Sequence, residues 1–150
     1  MAHSLMTIST AQTVEEIIER ALFNEMISAQ QLHDVMAGNP QRLMLLDIRC
    51  REEYREGIIP GSVLFPNDHN LEDRSDTSVF RRCFNLLFKP EKFNPLMRFV
   101  LVCRSGPRTE IAMEIFLEHG FSACELIGGI MEWSRQGFSL EPAEGAPVLS

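Results

Sequence analysis

The sequence predicts one α/β domain, a three-layer sandwich in which helices cover both faces of a central, mainly parallel sheet. Three observations lead there. Short apolar runs alternate with amphipathic helical patterns along the chain. The runs lack the polar alternation of a half-exposed strand, so both of their faces are expected to be buried. A chain of 150 residues with 45% hydrophobic content suits a single core, because a domain of this size buries roughly 68–70% of its unfolded surface without disulfide or metal staples.

The opening residues, MAHSLMTIST, are polar and uncapped and are expected to be loose. Val14, Ile17, Ile18, Ala21 and Leu22 recur at helical steps after Thr10 or Thr13 as N-cap, with Glu15, Glu16, Glu19 and Arg20 on the opposite face. Ser28, followed by Gln31, has the spacing of a capping box for a second helix through Leu32, Val35 and Met36, stopped by Gly38 and Pro40. LMLLDI (43–48) reads as the first strand and feeds the polar, helix-like CREEYREG, which ends at Gly57. Ile59-Pro60-Gly61 marks a turn, SVLFP (62–66) a second strand, and FVLVC (99–103) a third.

Between the last two lies a broad apolar stripe, Val79, Phe80, Cys83, Phe84, Leu87 and Phe88, expected to be a core-packing helix. Ser105-Gly106-Pro107 turns the chain into another helix, carrying Ile111, Ala112, Ile115 and Phe116 and closed by Gly120. CELI (124–127) is the last strand, Gly128-Gly129 a turn, and Ile130 to Gln136 a short final helix.

Composition excludes several functions. Fourteen Lys and Arg against 21 Asp and Glu leave a net charge of −7, which repels nucleic acids and anionic lipid surfaces at long range. The apolar runs fall far short of the roughly 20 residues that cross a bilayer, and the N-terminus lacks a basic segment followed by an apolar stretch, so a cytoplasmic chain is expected. Cysteines at 50, 83, 103 and 124 have neither zinc-knuckle spacing nor the density of a disulfide framework. Nor do His3, His33, His69 and His119 have mutual spacing for a metal, so no metal or other cofactor is expected.

The chemistry concentrates in Cys103-Arg104-Ser105-Gly106-Pro107-Arg108. A cysteine at the carboxyl end of a buried strand, directly before a helix, sits where ligands bind in open α/β sheets and where backbone N–H groups and the helix dipole favour a thiolate. Arg104 and Arg108 add positive charge to a site suited to an anion. Gly106 allows the backbone to curl so that successive N–H groups point inward, and Pro107 suits the first helical position. Cys50 could face the site as a resolving thiol, although a helix-start position is the plainer reading. Cys83 and Cys124 read as buried small hydrophobes, and Trp133 as a core anchor. Glu53, four residues after Arg49, has the spacing to pair with it.

The CRSGPR hexad, the upstream DIRCREEYREGIIPGSV and the later LIGGIMEW together resemble a single-domain rhodanese, of the sulfurtransferase family. Four motifs fall in the family's order: Asp47-x-Arg49, Gly57 to Gly61, Cys103 to Arg108, and Gly128/Gly129 with Trp133. The resemblance spans residues 27–140, with 1–26 as an extension bearing a surface helix and 141–150 as a frayed tail. Ile58 stands where the family usually has His and Ser62 where it usually has Ala, and the stretch from Asn67 to Arg98 is longer than a minimal member needs.

The resemblance implies that Cys103 takes a sulfane sulfur from thiosulfate or a persulfide donor and passes it to a thiol or cyanide. Loop N–H groups would hold the persulfide. Arg104 and Arg108 would orient an anionic donor, with Arg108 also bracing the loop alongside Ser105, Gly106 and Pro107. Asp47 and Arg49 would support the site, Asp47 by orienting loop groups or by capping the following helix. A sulfur-carrier module serving a protein donor or acceptor would use the same Cys103. Cysteine phosphatases related to this fold place five residues between Cys and Arg; four intervene here, a cradle better sized for one sulfur than for a phosphoryl group.

Overall fold

The computed structural model describes residues 12–68 and 77–149. Five strands, β1 (Met26–Ile27), β2 (Leu43–Asp47), β3 (Ser62–Leu64), β4 (Arg98–Val102) and β5 (Ser122–Leu126), form one sheet in the order β1-β5-β4-β2-β3. All four pairings are parallel. The helices are α1 (Val14–Asn24), α2 (Ala29–Ala37), α3 (Thr77–Leu87), α4 (Pro107–Glu118) and α5 (Gly129–Arg135). The expected loose opening, Thr10, His3 and His69 lie outside the described residues.

Local signals place the first two helices. Thr13 caps α1 by accepting from the Glu16 N–H at 3.1 Å. Ser28 and Gln31 close a reciprocal capping box on α2 at 3.0 and 3.1 Å, each such cap being worth about 0.5–2 kcal/mol. The CREEYREG stretch shortens to a single 3-10 turn, Glu53–Glu56, because Gly57 at φ 104° turns the chain away at once. β1 has no counterpart among the expected strands; two residues are too short for a hydrophobic period to register.

Side-chain alternation along the strands divides the core into two layers. Phe99, Leu101 and Cys103 pack with α3 and α4, whereas Val100 and Val102 pack with α1, α2 and α5. The first layer is aromatic. Phe84 is fully buried and meets Phe65 edge-on at 5.6 Å and Phe88 at 6.0 Å, while Phe88 reaches Phe116 at 5.1 Å. Such pairs contribute about 0.5–1.5 kcal/mol each beyond their buried area. Cys83, expected on this stripe, is only half-buried.

The tail from Glu141 differs from the frayed end its Pro, Ala and Gly content suggests. Ile58 and Glu141 exchange backbone hydrogen bonds at 2.9 and 2.8 Å. The Leu64 N–H donates to Pro147 O and the Leu149 N–H to Leu64 O, both at 2.8 Å. β3 is the edge strand, and these bonds satisfy backbone groups that an open edge would leave unpaired.

The chain runs from β2 outward to β3 and then returns to β4 on the other side of β2. This reversal makes the carboxyl ends of β2 and β4 the switch point of the sheet, the position where open α/β sheets bind ligands.

Truncating the aromatic hub by Phe84→Ala should cost about 3–5 kcal/mol in urea-induced unfolding. A loss below about 1 kcal/mol would show that the α3 layer does not carry the core.

Candidate active site

Cys103 follows β4 directly, so the central strand places its sulfur, buried, at the carboxyl end of the sheet. Gly106, at φ 132°, bends the chain so that its N–H donates to the Cys103 Sγ at 3.0 Å. A Cβ there would meet nothing within 4 Å, so glycine is required by backbone conformation and not by space. Pro107 opens α4, where its missing N–H costs nothing. The Thr109 hydroxyl donates to Gly106 O at 2.6 Å and lies 4.0 Å from the sulfur.

The loop is held from beneath by α5. The Ile130 N–H donates to Cys103 O at 2.9 Å and the Met131 N–H to Arg104 O at 3.0 Å. Gly129 makes this approach feasible, since a Cβ there would stand 2.5 Å from Cys103 O. Arg104, Ser105 and Pro107 are exposed, whereas Cys103 and Arg108 at the two ends of the loop are buried. Cys103 is fully covered and packs against the aromatic layer while accepting the Gly106 N–H. The resting sulfur thus takes one described loop amide rather than a full ring of them.

Two buried ion pairs flank this loop, and their partners differ from those expected. Arg49 pairs with Asp47, its Nη2 meeting Oδ2 at 2.8 Å and its Nε meeting Oδ1 at 3.0 Å, with both residues fully buried. Its remaining donors reach Glu53 O at 3.2 Å and Gly57 O at 2.8 Å. Burial pushes the Asp47 carboxyl up, against the pull of the guanidinium bonds. Asp47 also accepts from the Arg49 N–H, and Tyr54 OH donates to Asp47 O, so this carboxylate organises the end of β2.

The Glu53 side chain pairs with Arg108 instead of Arg49. Arg108 Nη1 and Nη2 meet its two oxygens at 2.7 and 2.9 Å. Oε1 also accepts from Cys50 N–H and Cys50 Sγ–H, each at 3.1 Å. Burial opposes ionisation of Glu53, yet the Arg108 bonds and charge, with help from Cys50, hold it at about 2. The Arg108 guanidinium is therefore committed to a carboxylate. Arg51, beyond it, pairs with Asp68 at 2.7 Å, and Arg104 forms no ion pair among the described residues.

Sequence spacing gave no sign of Glu53–Arg108, because the partners are 55 positions apart. It also missed Asn67, a buried residue just past β3 whose Nδ2 has no hydrogen-bond partner among the described residues; leaving such a group unmatched costs about 1–3 kcal/mol. Burial pushes the Cys124 thiol up to about 12, which suits an inert core position. Trp133 is buried and donates to Ser139 O at 2.9 Å. His33 stacks on Phe138 at 4.3 Å. Among the described residues no group of His, Cys, Asp or Glu is placed to hold a metal ion, and no helix is long and apolar enough to cross a membrane. A cleft of about 650 Å³ opens between the Glu53–Glu56 turn and the tail, lined by Tyr54, Leu64, Leu140 and Val148. Its described lining contains no cysteine, so the cleft and the Cys103 thiol lie apart.

The Rhodanese-like domain family profile matches residues 28–136. A putative sulfurtransferase, YtwF, of Bacillus subtilis is 29% identical over 96 residues, covering 64% of this chain and 78% of that protein. Thiosulfate sulfurtransferase/rhodanese-like domain-containing protein 3 of mouse is 34% identical over 108 residues, covering 71% of this chain and 67% of its own. The crystal structure of a rhodanese-related protein from Thermoplasma volcanium superposes with a TM-score of 0.56 at 21% identity, covering 77% of this chain and 96% of that one. The chain belongs to the rhodanese-like family, and these curated relatives carry sulfurtransferase names.

The Glu53–Arg108 pair makes a pH prediction. Glu53 titrates at about 2 in the folded protein and near about 4.3 in an unfolded chain. A folded value below the unfolded one means that its stabilisation is complete above about pH 5 and disappears as pH falls toward 2. Arg108→Ala should cost about 3–5 kcal/mol near neutrality by leaving a buried charge unpaired. It should also reverse Glu53's contribution, since burial would then raise that carboxyl. Urea midpoints measured from pH 3 to 7 for both proteins check this; parallel curves would refute the pairing.

Proposed function

We propose that the protein moves a sulfane sulfur from a donor such as thiosulfate, through a persulfide on Cys103, to a thiol or cyanide acceptor. The observation that carries this reading is the Gly106 N–H on the Cys103 sulfur, at the carboxyl end of the central strand and beside the switch point of the sheet. In the first step the Cys103 thiolate attacks the outer sulfur of thiosulfate. A Cys103 S–S bond forms, the donor's S–S bond breaks, and sulfite leaves with the bonding pair. An acceptor thiolate then attacks the outer persulfide sulfur, takes it, and returns Cys103 as thiolate. The Gly106 N–H and neighbouring loop amides stabilise the persulfide charge with little reorganisation, because the α4 and α5 contacts already fix the loop.

Arg104, exposed at the lip, attracts the anionic donor to a chain of net negative charge. Arg108 acts through Glu53 on the shape of the loop, with Ser105, Gly106 and Pro107 as its span, and Asp47 and Arg49 hold the adjoining strand end. Four cysteines without a disulfide among the described residues fit a reducing, cytoplasmic setting. The four-residue span between Cys103 and Arg108 favours sulfur transfer over phosphate hydrolysis.

Exposure of the purified protein to thiosulfate should add one sulfur atom to the peptide containing Cys103, and Cys103→Ser should abolish it, as read by intact and peptide mass. Labelling at Cys50 would overturn the assignment. Thiosulfate:cyanide turnover should accompany the labelling. Negligible turnover beside rapid sulfur transfer to a protein thiol would replace the enzyme with a carrier module.

A further inference from the structure

We infer that Asn67 recognises the oxyanion end of the sulfur donor, a role that rests on the sulfur-transfer reading above. The β2–β3 ladder continues past its last assigned residues: the Phe65 N–H donates to Asp47 O at 2.9 Å and the Asn67 N–H to Arg49 O at 3.2 Å. On the other side the Ile48 N–H donates to Val102 O at 2.9 Å. Cys103, Ile48 and Phe65 therefore lie in one row across three adjacent strands, and all three belong to the same layer of the core. Asn67, paired through its backbone N–H with Arg49, stands two residues past that row, nearer the carboxyl edge.

The polar groups around this row are matched. Cys50 and Arg108 both bond Glu53, Arg49 bonds Asp47, and Arg51 bonds Asp68. Asn67 is 7% exposed, yet its Nδ2 has no partner among the described residues. An amide donor buried without an acceptor weakens the resting fold, and a ligand oxygen placed there removes the defect.

Distance selects which part of the ligand this is. Strands pack about 4.7–4.9 Å apart and rise about 3.3 Å per residue, so two strand spacings across and two residues along put Asn67 roughly 12 Å from Cys103 in backbone position. Its side chain is then too remote to hold the sulfur on Cys103, and it suits oxygens that extend beyond the reacting sulfur toward β3. A thiosulfate or thiosulfonate group has that shape, with sulfane sulfur at one end and oxygens that accept hydrogen bonds at the other. A neutral amide also binds such oxygens without competing for Glu53, as a further arginine at this position would.

The test compares thiosulfate with glutathione persulfide, whose reacting sulfur is not attached to an oxyanion, using sulfur loading of Cys103 as the readout and thermal unfolding alongside. Asn67→Leu should raise KM for thiosulfate roughly 10-fold, the size expected of a lost hydrogen bond to a charged group. Its preference for thiosulfate over glutathione persulfide should fall by a similar factor, and its Tm should stay level or rise because the unmatched donor is gone. Asn67→Asp, which keeps the volume and reverses the hydrogen-bonding sense, should lower the same preference further. Equal losses on both donors, or a lower Tm with thiosulfate KM unmoved, would overturn the role by showing that Asn67 serves the fold alone. A native protein that loads Cys103 while the variants keep their preference strikes Asn67 only; a native protein that loads from neither donor overturns the parent reading as well.

Discussion

One carboxylate, Glu53, joins segments that the chain keeps far apart. Its oxygens hold Arg108 at the far end of the Cys103 loop and Cys50 at the end of the segment leaving β2. The loop is thereby fastened across the switch point of the sheet, and α5 fastens it from beneath through Ile130 and Met131. Buried pairs of this kind add little net stability compared with a well-packed apolar replacement, but removing one partner is severe. Its service here is geometric: it fixes where the loop amides stand relative to the sulfur.

That geometry bears on the proposed chemistry. The Cys103 sulfur at the end of the central strand has the aromatic layer below it and a backbone amide against it. The strand supplies position and the loop supplies polarity. Because Arg108 is spent on Glu53, in the proposed reaction the pull on an anionic donor would pass to Arg104 and to hydrogen bonds at the switch point, a division of labour that a free Arg108 would not require.

Much of this was legible in the sequence, and the rest was hidden for definite reasons. CRSGPR could be read because its residues are consecutive, so their joint position at a strand end follows from local pattern alone. Phe80, Phe84 and Phe88 declared themselves through helical spacing. Glu53 did not: its four-residue step from Arg49 points to a local helical pair, whereas the chain forms a 3-10 turn and the side chain crosses to a residue 55 positions away. The tail misled by composition, since its backbone bonds to Ile58 and Leu64 depend on the open edge of β3 and not on its own residues. Asn67 carried no signal, because an unmatched donor is visible only once its neighbours are in place.

A crystal structure of the protein after exposure to thiosulfate tests the central claim most directly. It should show one additional sulfur bonded to the Cys103 Sγ and approached by loop N–H groups, with Glu53 still bridging Arg108 and Cys50. A sulfur bound elsewhere, or Cys103 unmodified beneath a loop that has swung off Glu53, would contradict the account.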